Sequence, residues 1–386
     1  MNTALSVDVV SPRALSAPER DAWRAFVAAS PAFRSPYFSL EFALACDGVV
    51  PGAAVAVIQR AGEIVGLLPF QKRGGTAQPL GAPLCDYHGV IAAPDEDIDL
   101  PTVVKLTGAG GFHFGGLVAS EPPRGGRCFV HACMRTDVSG GLDAWLAARP
   151  TGRKFFKDKA RAWRAAERDL GPLAFQMEDD DPRVIDFIIA NKREQFRRTA
   201  RHDIFACGWT EALLRRLWEE RTPGFGCRIA TLRGADGRVL AAELGLRAGP
   251  VRHIWFPTYD SEFAQWGPGT LLMIAMIKAA AADPDLHEID FGREGDAYKR
   301  FYADPVGLVY EGGVDLDPVR QASSRAADLT LAASPALKQL GEVRERMRRR
   351  FEIITACETT PQAWLGGAAD AFLNAARRGP ASAAGG

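Results

Sequence analysis

Apolar positions recur along this chain with two periods, one near two residues and one near 3.6, and the switches between them mark its elements. Met1–Val10 reads as an initial strand. Ser16–Ala29 reads as a helix with Trp23, Phe26 and Val27 on its inner face, opened by Ser16 with Glu19 three residues on, the spacing of a capping box. Ser35-Pro-Tyr-Phe-Ser39 leads into a short helix through Ala45. Ala53–Gln59 and Glu63–Gln71 are strand-like runs around Arg60-Ala-Gly62, a hairpin signal. Leu100–Gly108 reads as a helix, and Gly110–Val118 and Arg127–Met134 as further strands. These elements predict a first α/β half ending near Pro150.

Arg153–Leu170 follows as a basic amphipathic helix. Phe156, Ala160, Trp163 and Leu170 fall near helical spacing, and Arg153, Lys154, Lys157, Arg161, Arg164 and Arg168 take the other sides. Leu173–Met177 reads as a strand. Asp181-Pro182 supplies a cap and a first-turn proline for a helix that turns Ile185, Ile188, Ile189 and Phe196 inward. Glu211–Glu220 is another helix. Arg228–Leu232 and Val239–Leu246 form strands across Gly234-Ala-Asp-Gly237, a hairpin turn. His253–Tyr259 is a strand rich in β-favouring residues. Leu271–Ala282 is apolar on every face, so it is expected to be a buried helix, stopped by Pro284. Gly307–Asp315 closes this second half.

The chemistry concentrates in the last third of that half. Gly267-Pro-Gly269-Thr270 stands at the start of the buried helix, where unpaired N–H groups and the positive end of the dipole suit a pyrophosphate; an ordinary strand-to-helix turn is the alternative. Leu286–Phe291 is a short strand that breaks at Gly292 and Gly295 and delivers Asp296, Tyr298 and Lys299. A strand end that opens into a glycine turn is where α/β proteins commonly place ligands. Asp290 and Asp296 are candidate bases or orienters, and Asp290 could equally cap the turn. Tyr298 can donate a proton or pack. Lys299 can offset developing negative charge or stand as a surface lysine. Glu243, sharing a strand face with Val239, Ala241 and Gly245, is a candidate base among small residues, or it points to solvent.

Tyr259-Asp260, Gly267-Pro-Gly269 and Asp290-Phe-Gly-Arg-Glu-Gly-Asp-Ala-Tyr-Lys299 resemble the GNAT-type acyltransferases of the CelD/BcsL group, which is associated with cellulose and other exopolysaccharides. The chain is also similar to the Fem peptidyltransferases, built from two tandem GNAT-like halves. The resemblance runs from about Ser35 to Val314. It implies a mixed α/β fold of two such halves (1–150 and 151–317) followed by a basic helical tail (318–386). It implies direct attack by an amine, such as that of an amino sugar in polysaccharide assembly, on acetyl-CoA or a longer acyl-CoA as co-substrate, with no permanently bound cofactor. Tyr259, Gln265, Gly267, Gly269 and Thr270 would hold the donor, while His253–Tyr259 would expose backbone N–H to its carbonyl. Lys299 would act in transfer or charge stabilisation. Gln265-Trp-Gly-Pro-Gly-Thr270 follows the family's acyl-CoA loop loosely, which leaves the acyl donor open. Two rivals remain: a Fem-like transferase using aminoacyl-tRNA, and a degenerate fold that binds a regulatory ligand such as cyclic di-GMP.

Composition narrows this picture. The 386 residues, 47% of them hydrophobic, suffice for two domains. Lys+Arg and Asp+Glu both number 47, so no global charge points to nucleic acid. No apolar run reaches membrane-spanning length and no secretion signal opens the chain. Seven cysteines without framework spacing indicate a reducing compartment, hence a cytoplasmic protein. Cys128, His131 and Cys133 lack zinc-ligand spacing, and no metal site is expected. Cys85 and His88 lack an acidic orienter for a nucleophile. After Asp317 the expected tail helix carries Leu337, Leu340, Val343, Met347, Phe351 and Ile354 on one face and Arg344, Arg346, Arg348, Arg349 and Arg350 elsewhere. Those arginines either pair with Glu342, Glu345 and Glu352 or meet an anionic partner, a membrane surface or cyclic di-GMP. The second alternative makes the tail a separable regulatory or localising element. Trp364–Ala376 reads as a last helix.

Overall fold

A computed structural model describes residues 4–124, 126–149, 152–319, 322–323, 326 and 335–378. In chain order its elements are β1 (Leu5–Val10), α1 (Ala17–Ala29), α2 (Leu40–Cys46), β2 (Ala53–Arg60), β3 (Glu63–Arg73), β4 (Thr76–Pro79), β5 (Ile91–Ala92), α3 (Leu100–Leu106), β6 (Gly111–Leu117), β7 (Gly126–Asp137), α4 (Gly141–Ala147), α5 (Arg153–Leu170), β8 (Ala174–Gln176), α6 (Arg183–Arg198) and α7 (Trp209–Glu219). They continue with β9 (Phe225–Arg233), β10 (Val239–Ala248), β11 (Val251–Tyr259), α8 (Pro268–Ala280), β12 (Glu288–Arg293), β13 (Asp304–Asp315), α9 (Pro335–Cys357) and α10 (Pro361–Arg378). The class is mixed α/β, as expected. By contact the chain forms two compact units that are not consecutive in sequence: residues 1–131, 196–213 and 308–386, and residues 132–195 and 214–307.

In the first unit the strands run β1-β2-β3-β4-β6-β13, with β5 on β3. The β4/β6 pair is parallel and the others are antiparallel. The capping box at Ser16 and Glu19 forms and sets the start of α1. That start places Trp23 in the interior, where its indole N–H donates to the Phe38 carbonyl at 2.7 Å. Phe70, Val103, Phe112, Phe114 and Val314 fill the core between this sheet and α3.

The C-terminal helices belong to this unit, which corrects the expectation of a separable basic tail. Ile354, Ala356 and Cys357 of α9 are buried. The Trp209 indole donates to the Cys357 carbonyl at 3.0 Å and the Arg73 guanidinium to the Ala356 carbonyl at 3.3 Å. Arg348 pairs with Glu311, Glu345 and Glu352, and Arg349 with Glu311 at 2.5 Å. Arg350 donates to the Ala371 carbonyl of α10. The physical reason is charge burial: Glu311 is 3% exposed on β13 and needs cations, which α9 supplies. The Phe351 ring stacks on Trp364, while Val343 is exposed. The side chains of Leu337 and Leu340, the boundary at Pro150 and the end of the chain from 379 lie outside what is described.

In the second unit the order is β7-β12-β11-β10-β9-β8. Only β11/β12 is parallel. The largely apolar α8 packs on β9, β10 and β11 and on α5. That packing is why Leu271, Leu272, Met273, Met276 and Ile277 are all buried. Each such side chain contributes about 1.5–3 kcal/mol. Trp145, Ala166, Ile254, Ile289 and Phe291 complete the core. Among the described residues, no helix is long and apolar enough to cross a membrane.

Candidate functional site

The β11/β12 ladder joins Val251 to Glu288, Arg252 to Ile289 and His253 to Asp290, and stops there, although β11 continues to Tyr259. Beyond His253 the two strands part. Each carries an irregularity where it does so. On β11, Ile254 and Phe256 face Gly245 and Leu244, so Trp255 is an extra, bulged residue. On β12 the register against β7 slips between Asp290 and Arg293, and Gly292 takes φ +74, a conformation open to glycine.

A buried carboxylate holds each bulge. Glu243 is fully buried on β10; its Oε1 accepts the Trp255 N–H at 3.1 Å and its Oε2 pairs with the Arg252 guanidinium at 2.7 Å. Arg252, itself 1% exposed, also donates to the Met177 and Arg228 carbonyls. Asp290 is fully buried on β12; its Oδ1 accepts the Gly292 N–H at 2.7 Å. Its Oδ2 lies 3.0 Å from Arg135 Nε, and its Oδ1 3.6 Å from His253 Nδ1. Burial alone would raise the Asp290 carboxyl, but His253, Arg135 and the Gly292 amide outweigh it and hold it below the ordinary range. Glu243, expected as a candidate base, and Asp290, expected as a base, an orienter or a cap of the turn, each accept a backbone amide beside the opening. The sequence reading did not single out Arg135 or Arg252 as the cations they need. A charged residue inside a β-rich, apolar run is the signal that would have found Arg252, since a buried charge needs a partner.

The turn after β12 gathers three of the expected residues. Lys299 donates to the Arg293 carbonyl at 2.7 Å and lies 3.3 Å from Asp296 Oδ2. Tyr298 is 41% exposed, and partial burial first, then the Asp296 and Glu243 charges, pushes its hydroxyl up to about 12. It therefore stays protonated at neutral pH and is felt by both acids. Its ring meets Tyr302 edge-on at 6.3 Å. Tyr302 stacks on Phe291, and its hydroxyl bonds to Thr270, the third residue of α8. That contact ties the turn to the start of α8.

The loop before α8 is a tight turn. Gly267 is its left-handed cap at φ +64. Pro268 has no N–H, and the Thr270 and Leu271 amides turn back on the Gly267 carbonyl. The Gly269 N–H is left without a partner among the described residues. A β-carbon at Gly269 would sit 3.4 Å from the Tyr259 ring, so Tyr259 walls this corner, and the exposed Gln265 stands on the short helix just before it.

Residues 153–300 match the family model of the acetyltransferase (GNAT) domain, a span that contains the parted strands, the α8 loop and the turn through Lys299. No curated protein matches the chain. Among solved structures it is similar to a tandem GNAT protein from the clavulanic acid biosynthesis pathway (without AcCoA), at 11% identity over 82% of this chain and 99% of that one, TM-score 0.49. It is also similar to FemX, at 12% identity over 82% and 99%, TM-score 0.48. A third is L-PGS from Bacillus licheniformis, at 12% identity over 81% and 96%, TM-score 0.41.

Proposed function

We propose that the second unit transfers an acyl group from acyl-CoA to an amine, the acceptor being an amino sugar of exopolysaccharide assembly as the resemblance to the CelD/BcsL group implies. The observation that carries this reading is the end of the β11/β12 ladder at His253 and Asp290, which opens a gap between the two strands for a thioester carbonyl beside the α8 N-terminus. The α8 dipole and the Gly269 N–H face the donor's pyrophosphate, with Tyr259, Gln265, Gly267 and Thr270 around it. The amine nitrogen attacks the thioester carbon, and the tetrahedral oxyanion is stabilised by β11 amides. Collapse breaks the C–S bond. Tyr298, protonated up to about 12, gives its proton to the leaving thiolate. The amine proton passes through water to the more exposed Asp296, and Lys299 fixes Asp296 at 3.3 Å. Glu243 and Asp290 position the strands through the Trp255 and Gly292 amides.

Purified protein is given acetyl-CoA or a long-chain acyl-CoA with a panel of amines that includes glucosamine, and free thiol is followed. Tyr298→Phe is expected to lower turnover by about 10²-fold with donor affinity unchanged, at the lower end of general-acid effects. Full activity in that variant would remove Tyr298 from the chemistry. A second reading, a fold that binds a regulatory nucleotide such as cyclic di-GMP without transfer, is favoured by the α8 loop, where the Gly269 N–H alone lacks a partner among the described residues. Thiol release with none of the amines, together with nucleotide binding, would decide for it.

A further inference from the structure

The basic face of α5 takes no part in this chemistry. Arg153, Lys154, Lys157, Arg161, Arg164 and Arg168 are all exposed. At one residue per 100° they fall within an arc of about 100°, opposite the face that packs Phe156, Trp163 and Ala166 on the core. The stripe is straight and about 23 Å long from Arg153 to Arg168, at 1.5 Å per residue. Cations at i and i+4 repel on a helix surface. Acids relieve this little: Arg161 pairs with Asp158 at 3.2 Å and Arg168 with its neighbour Asp169 at 3.0 Å. Arg153, Lys154, Lys157 and Arg164 have no acidic partner among the described residues. The chain as a whole carries equal numbers of basic and acidic residues, so this is a local concentration of charge.

We propose that this face of α5 docks on an anionic lipid leaflet. Charge complementarity selects the partner. A flat row of cations with no acidic or aromatic side chain inside its arc matches a plane of headgroups, where each Lys or Arg near the surface adds to binding. A single-stranded nucleic acid would call for aromatic rings between the cations on which to stack bases, and the arc has none. A duplex would call for a broad basic surface, which a chain of balanced charge does not indicate. The apolar side of α5 is already used by the core, so the contact is electrostatic, without insertion of the helix.

The test is co-sedimentation of the full chain with vesicles of phosphatidylcholine alone or mixed with phosphatidylglycerol, at low and at high salt. Binding is expected to the mixed vesicles only and to fall as salt rises. The variant Arg153→Glu, Lys157→Glu, Arg161→Glu, Arg164→Glu is expected to lose it by on the order of tenfold or more, with an unchanged circular-dichroism melt. Arg346→Glu, an exposed cation on α9, is expected to bind as the wild type does. Three outcomes would overturn the proposal: no binding to the mixed vesicles at low salt, equal binding by the four-site variant, or tighter binding to RNA than to vesicles in the same buffer.

Discussion

The two units both bury carboxylates, and the two sets act on different things. In the second unit Glu243 and Asp290 each accept one backbone amide, at Trp255 and Gly292, where a ladder has broken. In the first unit Glu311 on β13 meets Arg348 and Arg349 and holds α9 to that strand, while Glu345 and Glu352 pair with Arg348 within α9. One arrangement fixes the course of a strand and the other fastens a helix. The difference matters because strands that part must leave amides without ladder partners, and an unpaired buried amide is costly. A carboxylate that takes one such amide lets the opening persist. A helix satisfies its own amides and needs only its surface matched.

The largest effect expected from breaking this comparison is at Glu243. Glu243→Ala strands Arg252 without its buried partner and leaves the Trp255 N–H unpaired, for a loss of roughly 3–5 kcal/mol by urea unfolding. Glu243→Gln keeps an acceptor for the amide and is expected to lose clearly less. Equal losses in the two variants would mean that the bulge amide contributes nothing and that only the ion pair counts.

Glu352 comes next and works through pH. Burial is the main cause that raises its carboxyl from 4.5 to about 7; the Arg348 charge opposes this, and the Glu311 and Glu345 charges add to it. A folded-state pKa above the unfolded one gives stability that is fully present below about pH 4.5 and lost as pH rises through about 7. The loss is at most ~3 kcal/mol, and Glu352→Gln is expected to flatten that part of the stability profile. A variant whose stability falls between pH 5 and 8 as steeply as the wild type's would place the titration elsewhere.

Much of the fold was legible because it rests on local pattern. The Ser16 box, the hairpins at Ala61-Gly62 and Gly234–Gly237, and the largely apolar α8 each follow from residues within a few positions of one another. The short α4 and β4 went unread because neither is long enough to show a period. The candidate site was legible as a place, the loop before α8 and the turn after β12. Its working arrangement was not, because bulges are set by register between strands distant in sequence. One signal existed: Pro257 lies inside β11, and proline in a strand marks an edge or a bulge. The buried ion partners of Glu243 and Asp290 come from β7 and β11, and no spacing rule reaches from Asp290 back to Arg135. The arginines of α9 misled for a related reason. A row of cations reads as solvent-facing until a buried acid such as Glu311 is found opposite it.

The smallest effect is expected at Arg349, and it sharpens the comparison from the other side. Its side chain is 44% exposed, while Glu311, its partner, is 4% exposed. Removing one member of a buried pair is costly when the other is left alone, as at Glu243. Glu311 is not left alone, since Arg348 lies at 3.1 Å and His131 Nε2 at 3.1 Å. Solvent screens the exposed guanidinium, and pairs of that kind contribute about 0–1 kcal/mol. Arg349→Met also keeps most of the side chain's apolar stem. The expected loss is below about 1 kcal/mol, read by urea unfolding alongside Glu243→Ala. A loss as large as that of Glu243→Ala would show that the helix-fastening cluster has no redundancy. The two clusters would then be equivalent in energy and would differ only in what they hold.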